Sequence, residues 1–159
     1  MAIAAGTKAP DFALKSRSAT GTTEVRLSDH FGSDAVVLVF FPAAFSGVCT
    51  TELCTFSENL NAYADLGVVI YGISVDSTFA QEGWAKASGI TIPLLSDYGR
   101  KVIKDYDVEL PDFAGLGGSS AQRAVFVINK DGVVTYSQQT ASAGELPDFT
   151  VLEQAVRAL

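Results

Sequence analysis

Two stretches of the chain are apolar at almost every position. Residues 35–41 read AVVLVFF, and residues 67–75 read GVVIYGISV. A continuous apolar run of this length is typical of a strand that is buried on both faces of a sheet. Residues 122–129 form a third run, and the KDG tripeptide at 130–132 predicts a hairpin turn into residues 133–138. The pattern therefore predicts a central sheet with an antiparallel pair late in the chain.

Between these runs, apolar residues recur at the spacing of a helix. Leu53, Phe56, Leu60 and Tyr63 are three or four positions apart, which places them on one face of a helix over residues 50–64. Further helices are predicted over residues 77–88, with Gly89 as the stop, 98–106 and 149–158. Short strands are predicted over residues 11–14, 24–27 and 92–95, and one helical turn over residues 28–32.

The order of these elements predicts an α/β fold. Helices that connect buried strands imply parallel pairing, and the late hairpin adds an antiparallel strand. We expect a three-layer sandwich with a mixed central sheet, and a thioredoxin-like core with an N-terminal extension fits the order best. No linker or repeat divides the chain, so residues 1–159 are expected to form a single domain.

Composition and charge narrow the possible partners. The net charge of -7 and the pI near 4.5 argue against nucleic acid and against an anionic membrane surface. The longest apolar run falls well short of the roughly 20 residues that a membrane-spanning helix needs. The first residues, MAIAAGTKAPDF, show no signal peptide, so we expect a cytoplasmic protein.

Both cysteines of the chain lie in the segment PAAFSGVCTTELC, at positions 49 and 54. Cys49 falls where the first buried strand gives way to a helix, and the first turn of a helix favours a thiolate. In the cytosol, a close cysteine pair is more often redox-active than a structural disulfide. The alternative is that both side chains are inert buried thiols.

Few other residues could assist such a cysteine. His30 is the only histidine, so neither a metal site nor a Cys-His hydrolase is expected, and no cofactor is predicted. Arg123 opens a core strand, where it is either a solvated cation or a fixed positive charge over the thiolate. Glu52 lies one helical turn beyond Cys49, where it is either a surface carboxylate or a partner that orients the arginine.

At these positions the chain resembles a known family. Pro42, Ser46 and Cys49 are spaced as in P-x-x-x-[TS]-x-x-C, the signature of the peroxiredoxins. The opening GTKAPDFAL and the stretches GVVIYGISVD and PLLSD are also similar to that family. The pair C-x-x-x-x-C resembles the Q-type, or bacterioferritin-comigratory, subgroup. The phrase PAAFSGVCTTEL resembles the E-type alkyl hydroperoxide reductases, and both assignments stay open.

The resemblance implies a role for each of these residues. Cys49 would be the thiolate that attacks the peroxide, and Cys54 would resolve the resulting sulfenic acid as a disulfide. Ser46 would hydrogen-bond the peroxide, and Pro42 would shield the thiolate from water. Arg123 would stabilise the thiolate and the charge that develops on the departing oxygen.

The implied function is a thiol-dependent peroxidase that reduces hydrogen peroxide and organic hydroperoxides. A thioredoxin-like or other thiol reductant would recycle it, and the protein would be a monomer or a homodimer. Two alternatives stay open: a general thiol–disulfide oxidoreductase, and a non-catalytic redox sensor or chaperone. The C-x-x-C motif of a dithiol oxidoreductase is absent, since four residues separate the two cysteines.

Overall fold

A seven-stranded mixed sheet forms the centre of the protein in a computed structural model that describes residues 1–159. In chain order its strands are β1 (Ala13–Ser18), β2 (Gly21–Arg26), β3 (Ala35–Phe40), β4 (Val68–Ser74), β5 (Leu94–Ser96), β8 (Ala124–Ile128) and β9 (Val134–Gln139). Two further short strands, β6 (Glu109–Leu110) and β7 (Ser120–Ala121), pair with each other outside the sheet. The helices are α1 (Gly47–Glu58), α2 (Leu60–Asp65), α3 (Thr78–Ser88), α4 (Val102–Asp105) and α5 (Phe149–Arg157).

The strand order in the sheet is β2-β1-β5-β4-β3-β8-β9. Strands β3, β4 and β5 run parallel, as expected for strands that are connected through helices. Strand β8 pairs antiparallel with β3, and β9 continues antiparallel from β8. The predicted α/β architecture with a mixed central sheet and a late hairpin is therefore confirmed.

The all-apolar sequence of β3 supplies both faces of this sheet. Because side chains alternate along a strand, Val36, Leu38 and Phe40 point into one hydrophobic cluster. Val37 and Val39 point into a second cluster on the opposite face. Buried residues of α1, α3 and α5 complete the second cluster, so α1, which carries Cys49, packs on that face.

Two predicted elements at the start of the chain are longer than expected. Strands β1 and β2 form a hairpin across residues 19–20, whereas the sequence pattern predicted strands only over 11–14 and 24–27. Much of this hairpin is exposed, so its polar residues gave no alternating pattern. Short strands β6 and β7 were also missed, because two-residue pairings carry no periodicity.

The helix predicted over residues 50–64 is two helices. The first begins at Gly47, and Asn59 separates it from α2 with backbone angles of φ -99° and ψ 5°. The helix predicted over residues 98–106 is confined to the single turn of α4. Gly89 ends α3 in the left-handed region at φ 70°, as predicted. None of the helices has the length and apolar character needed to cross a lipid bilayer.

Candidate active site

Cys49 lies in the first turn of α1 and is completely buried. Ser46 occupies the N-cap position, but its hydroxyl does not cap the helix and donates instead to the carbonyl of Ala43 at 2.9 Å. The first N–H groups of a helix have no partner within it. With no side chain in the capping role, these donors and the positive end of the helix dipole remain available beside the sulfur.

Close packing of α1 on the sheet fixes the depth of this cysteine. Leu53 is fully buried and points at Gly72 of strand β4. A Cβ atom at Gly72 would lie 2.7 Å from Leu94, closer than real side chains approach, and 3.0 Å from Leu53, tighter than most such contacts. The glycine therefore allows the helix to approach the sheet closely.

Arg123 makes the most direct contact with the cysteine. Its Nη2 lies 3.2 Å from the Sγ atom of Cys49, although the two residues are 74 positions apart in the chain. Arg123 immediately precedes β8, whose first residue, Ala124, pairs with Phe40 at the end of β3. This antiparallel register places the start of β8 beside the carboxyl end of β3, from which the chain leads into α1. The side chain is only 1% exposed, so it is not the solvated cation of the alternative interpretation.

Glu52 and a backbone carbonyl hold the guanidinium in place. Nη1 of Arg123 donates to Oε2 of Glu52, and Nε and Nη2 donate to the carbonyl of Ala143 at 3.2 and 2.8 Å. Glu52 is completely buried, so it is not the surface carboxylate of the alternative interpretation. The planar guanidinium thus spans the carboxyl, the carbonyl and the sulfur at fixed positions.

The cluster contains one cation, Arg123, and two acidic side chains, Glu52 and Cys49, so its charges balance only when one of the acids is protonated. Burial raises the pKa of Glu52 from 4.5 to about 7, although Arg123 opposes the rise. Burial alone would lower the pKa of Arg123, but Glu52 and Cys49 raise it above its ordinary value. If both acids were ionised, the buried cluster would carry a net negative charge, which is costly in a low-dielectric environment. With Glu52 protonated, the charge of Arg123 is available to the sulfur of Cys49.

Residues 42–46, here called the entry loop, connect β3 to the reactive helix. Pro42 is buried, and its carbonyl accepts a hydrogen bond from the hydroxyl of Ser120. Phe45 adopts a left-handed conformation at φ 63°, which is unfavourable for a residue other than glycine. Ser46 is half-buried at the end of this loop. The structure thus places Pro42 and Ser46 beside the start of α1, as the sequence predicts.

Cys54 has different surroundings from Cys49. It is half-buried, its Sγ donates to the carbonyl of Ser88 at 3.4 Å, and it lines a surface cavity of about 200 Å³. Residues five apart on a regular helix have Cα atoms roughly 8.7 Å apart. A disulfide requires Cα atoms within about 7 Å of each other. The two cysteines, both free here, therefore cannot bond while α1 is intact.

Sequence reasoning missed three contributors to the site. Asp76 accepts the N–H of Ala44 at 2.8 Å, and Ser120 anchors the opposite end of the entry loop. Asp76 follows a buried parallel strand, and such strand ends are where α/β sites form, so this signal could have found it. The carbonyl of Ala143 lies in a loop that no sequence pattern marks.

Comparisons with known proteins agree with this geometry. Residues 5–137 match the model of the AhpC/TSA family. The chain is 36% identical over 139 residues to the chloroplastic 2-Cys peroxiredoxin BAS1 of Hordeum vulgare, covering 83% of this chain and 64% of the barley protein. It therefore spans less than two thirds of the length of that relative.

Solved structures that are similar to this chain also include peroxiredoxins. The reduced 2-Cys peroxiredoxin of Plasmodium vivax superposes with a TM-score of 0.86 at 27% identity, covering 98% of this chain and 81% of that one. Peroxidoxin BcpB from Mycobacterium tuberculosis superposes with a TM-score of 0.81 at 30% identity, covering 99% and 98%. These likenesses confirm the predicted thioredoxin-like fold and the resemblance to the peroxiredoxins. The chain belongs to the peroxiredoxins of the AhpC/TSA family.

Proposed function

We propose that this protein is a thiol-dependent peroxidase that reduces hydrogen peroxide and organic hydroperoxides. The observation that carries the proposal is the fully buried Sγ of Cys49, which lies 3.2 Å from the guanidinium of Arg123 at an uncapped helix start. A cation and free N–H donors around one sulfur suit a reaction in which negative charge moves from the sulfur to a departing oxygen. The names of the relatives describe the same chemistry, since they include a thioredoxin-dependent peroxide reductase of Drosophila melanogaster.

In the first step, the thiolate of Cys49 attacks one oxygen of the peroxide. The O–O bond breaks as an S–O bond forms, so the sulfur is oxidised to a sulfenic acid. The departing oxygen takes up a proton and leaves as water or an alcohol. Arg123 and the first N–H groups of α1 stabilise the charge on that oxygen. The hydroxyl oxygen of Ser46, whose proton is donated to the carbonyl of Ala43, accepts a hydrogen bond from the O–H of the peroxide.

In the second step, Cys54 attacks the sulfur of the sulfenic acid. An S–S bond forms, the S–O bond breaks, and water leaves. Because the intact helix keeps the two Cα atoms too far apart, the first turns of α1 must unwind before this bond can form. Two thiols of a thioredoxin-like reductant are then oxidised to a disulfide and regenerate both cysteines. Such recycling requires a reducing compartment such as the cytoplasm.

The test is rapid mixing of the reduced protein with hydrogen peroxide and with an alkyl hydroperoxide, followed by mass spectrometry. We expect the wild-type protein to form an intramolecular Cys49–Cys54 disulfide. Cys49→Ser is expected to be inactive, and Cys54→Ser to consume one equivalent of peroxide without forming that disulfide.

Two results would contradict the proposal. Near-background reaction of the wild-type protein with both peroxides would favour a non-catalytic redox sensor. Efficient reduction of insulin disulfides without peroxide turnover would favour a general thiol–disulfide oxidoreductase. Peroxide turnover without an intramolecular disulfide would leave the peroxidase intact but remove Cys54 from its resolving role.

A further inference from the structure

The entry loop holds a strained conformation directly before the reactive helix. Phe45 lies at φ 63°, a left-handed conformation that is unfavourable for a non-glycine residue unless its surroundings hold it there. The ring of Phe45 is 65% exposed, so burial of the ring does not offset this cost. Contacts on either side of the residue must therefore maintain the turn.

Asp76 makes the contact on the N-terminal side of that turn. Its Oδ2 accepts the backbone N–H of Ala44 at 2.8 Å. The two residues meet because β3 and β4 are parallel neighbours, so that Asp76, just beyond β4, lies beside the loop that follows β3. The loop's own bond from Ser46 to Ala43 and the bond from Ser120 to Pro42 complete the set of side-chain contacts.

A buried chain of hydrogen bonds fixes the carboxylate itself. The hydroxyl of Ser74 donates to the same Oδ2 at 2.7 Å. The amide of Gln81 donates to Ser74 at 2.9 Å and to the carbonyl of Leu95 at 2.8 Å. Ser96 donates to the backbone carbonyl of Asp76 at 2.6 Å. The position of Asp76 is thus determined by hydrogen bonds that involve two strands, β4 and β5, and one helix, α3.

We propose that Asp76 is a positioning residue for the peroxide reaction. It fixes Ala44 and the turn at Phe45, and thereby the placement of Ser46 and of the free N–H groups of α1 relative to Cys49. This inference rests on the proposed function, because it assigns Asp76 to the same site. Asp76 makes no contact with the sulfur and acts only through the loop.

Two substitutions of Asp76 test whether the hydrogen-bond acceptor at this position is what matters for the reaction. Asp76→Ala removes the acceptor, whereas Asp76→Asn keeps an oxygen that can accept from both Ala44 and Ser74. We expect Asp76→Ala to slow the reaction of Cys49 with hydrogen peroxide by roughly tenfold to a hundredfold, since displacements near 1 Å have effects of this size. Asp76→Asn is expected to stay within about threefold of the wild-type rate.

A second electrophile tests whether the effect is specific to peroxide. Alkylation of Cys49 by iodoacetamide needs the thiolate but no donors aimed at a peroxide, so Asp76→Ala is expected to slow it far less than the peroxide reaction. Asp148→Ala is the matched control, because Asp148 also accepts backbone N–H groups but caps α5 and makes no hydrogen bond to the entry loop. It is expected to lower stability and leave the peroxide rate unchanged.

Several outcomes would overturn the assignment. These are a folded Asp76→Ala variant with the wild-type peroxide rate, an Asp76→Asn variant as slow as Asp76→Ala, or an equal loss in Asp148→Ala. If the wild-type protein itself does not react with peroxide, the proposed function fails, and amide hydrogen exchange at Ala44 still decides the inference. We expect faster exchange there in Asp76→Ala than in wild type and Asp76→Asn, and equal exchange in all three would refute the positioning role.

Discussion

At the scale of single residues, the site consists of one buried cation, the guanidinium of Arg123, in contact with two acidic side chains. Arg123 contacts both Cys49 and Glu52, and all three side chains are removed from solvent. Removing one member of a buried pair leaves an uncompensated charge, which is more damaging than removing both members. Structural and chemical roles of Arg123 can therefore be separated by comparing single and double variants.

We expect Arg123→Gln to lose up to about 3–5 kcal/mol of stability above pH 7, where Glu52 is ionised beside its cation in the wild type. The peroxide reaction should slow by about a hundredfold or more, since a donor aimed at the developing charge is lost. In the double variant with Glu52→Gln, most of the stability should return while the peroxide rate stays low. Urea unfolding and stopped-flow kinetics measure the two effects. Recovery of the rate together with the stability would show that Arg123 is only structural.

The raised pKa of Glu52 predicts a pH dependence of stability. Its pKa is about 7 in the folded protein and 4.5 when unperturbed, so between these values the folded state binds more protons than the unfolded state. The contribution of this group is therefore fully present below pH 4.5 and is lost as the pH rises through 7. Glu52→Gln mimics the protonated acid and should be more stable than wild type above pH 7, by up to roughly 3 kcal/mol.

The measurement is urea unfolding of both proteins from below pH 4.5 to above pH 7, with the difference in unfolding free energy plotted against pH. Titrating groups that are not coupled to Glu52 cancel in that difference because both proteins contain them. A difference that does not change with pH would contradict the raised pKa.

At the scale of elements, α1 is a helix with weak intrinsic preference for its conformation. Its sequence, GVCTTELCTFSE, is rich in threonine, serine, valine and glycine, which are poor helix formers. Four of its hydroxyl side chains bond to the carbonyl four residues earlier, an arrangement that slightly destabilises a helix: Thr50, Thr51, Thr55 and Ser57. Packing of Leu53 and Phe56 in the second hydrophobic cluster, rather than intrinsic preference, therefore holds the helix.

Oxidation to the disulfide should therefore expose the segment from Val48 to Phe56. We expect faster amide exchange over residues 50–56 in the disulfide form than in the reduced form, while β3 stays protected. The fluorescence of Trp84 should change as well, because its Nε1 donates to Thr50 at 3.1 Å in the folded helix. Cys54→Ser should show neither change after peroxide treatment. Equal protection of residues 50–56 in both redox forms would contradict the unwinding step.

Strengthening the helix should slow resolution without affecting the attack on peroxide. Thr51 and Thr55 lie on the outer side of α1, and replacing both with alanine should stabilise the helix by about 1 kcal/mol. Disulfide formation should then slow by about fivefold, since the helix must open first, and overoxidation of Cys49 should increase. Thr150→Ala in α5 is the matched control and should leave the rate of disulfide formation unchanged. An unaltered rate in the double variant would mean that unwinding does not limit resolution.

At the scale of the whole molecule, one sheet joins two separate hydrophobic clusters. The clusters lie on opposite faces and share the alternating side chains of the central strands. Trp84 belongs to the cluster beneath the reactive helix, and Phe126 belongs to the other, where its ring packs against Phe40 and Tyr106. A change in either cluster is therefore transmitted to the same sheet.

We expect Phe126→Ala to destabilise the protein by about 3–5 kcal/mol. The unfolding transition seen by Trp84 fluorescence should shift together with the one seen by far-ultraviolet circular dichroism, because both faces unfold as one cooperative unit. Phe79→Ala is the control, since Phe79 is largely exposed and should change stability by less than about 0.5 kcal/mol. A Trp84 transition that stays at the wild-type position would contradict a single cooperative domain.

Local sequence predicts the central strands and singles out Cys49 as the candidate reactive cysteine. In an apolar run such as residues 35–41, every side chain is removed from water only when the strand is buried on both faces. This can be inferred from the run alone, without knowledge of its neighbours. The position of Cys49 between such a strand and a helix follows from the same pattern. The sequence did not predict the break at Asn59 or the full extent of β1 and β2, because the polar residues there permit more than one local structure.

The groups that surround Cys49 are brought together by tertiary contacts. The contact of Arg123 with Cys49 depends on the antiparallel register of β8 against β3, and the contact of Asp76 with Ala44 depends on the parallel pairing of β3 with β4. The spacing of residues along the chain carries no information about such registers. The raised pKa of Glu52 likewise comes from its complete burial, which results from the packing of α1 on the sheet. The placement of Cys49 at a helix start thus follows from local sequence, whereas its electrostatic environment arises from contacts between residues distant in the chain.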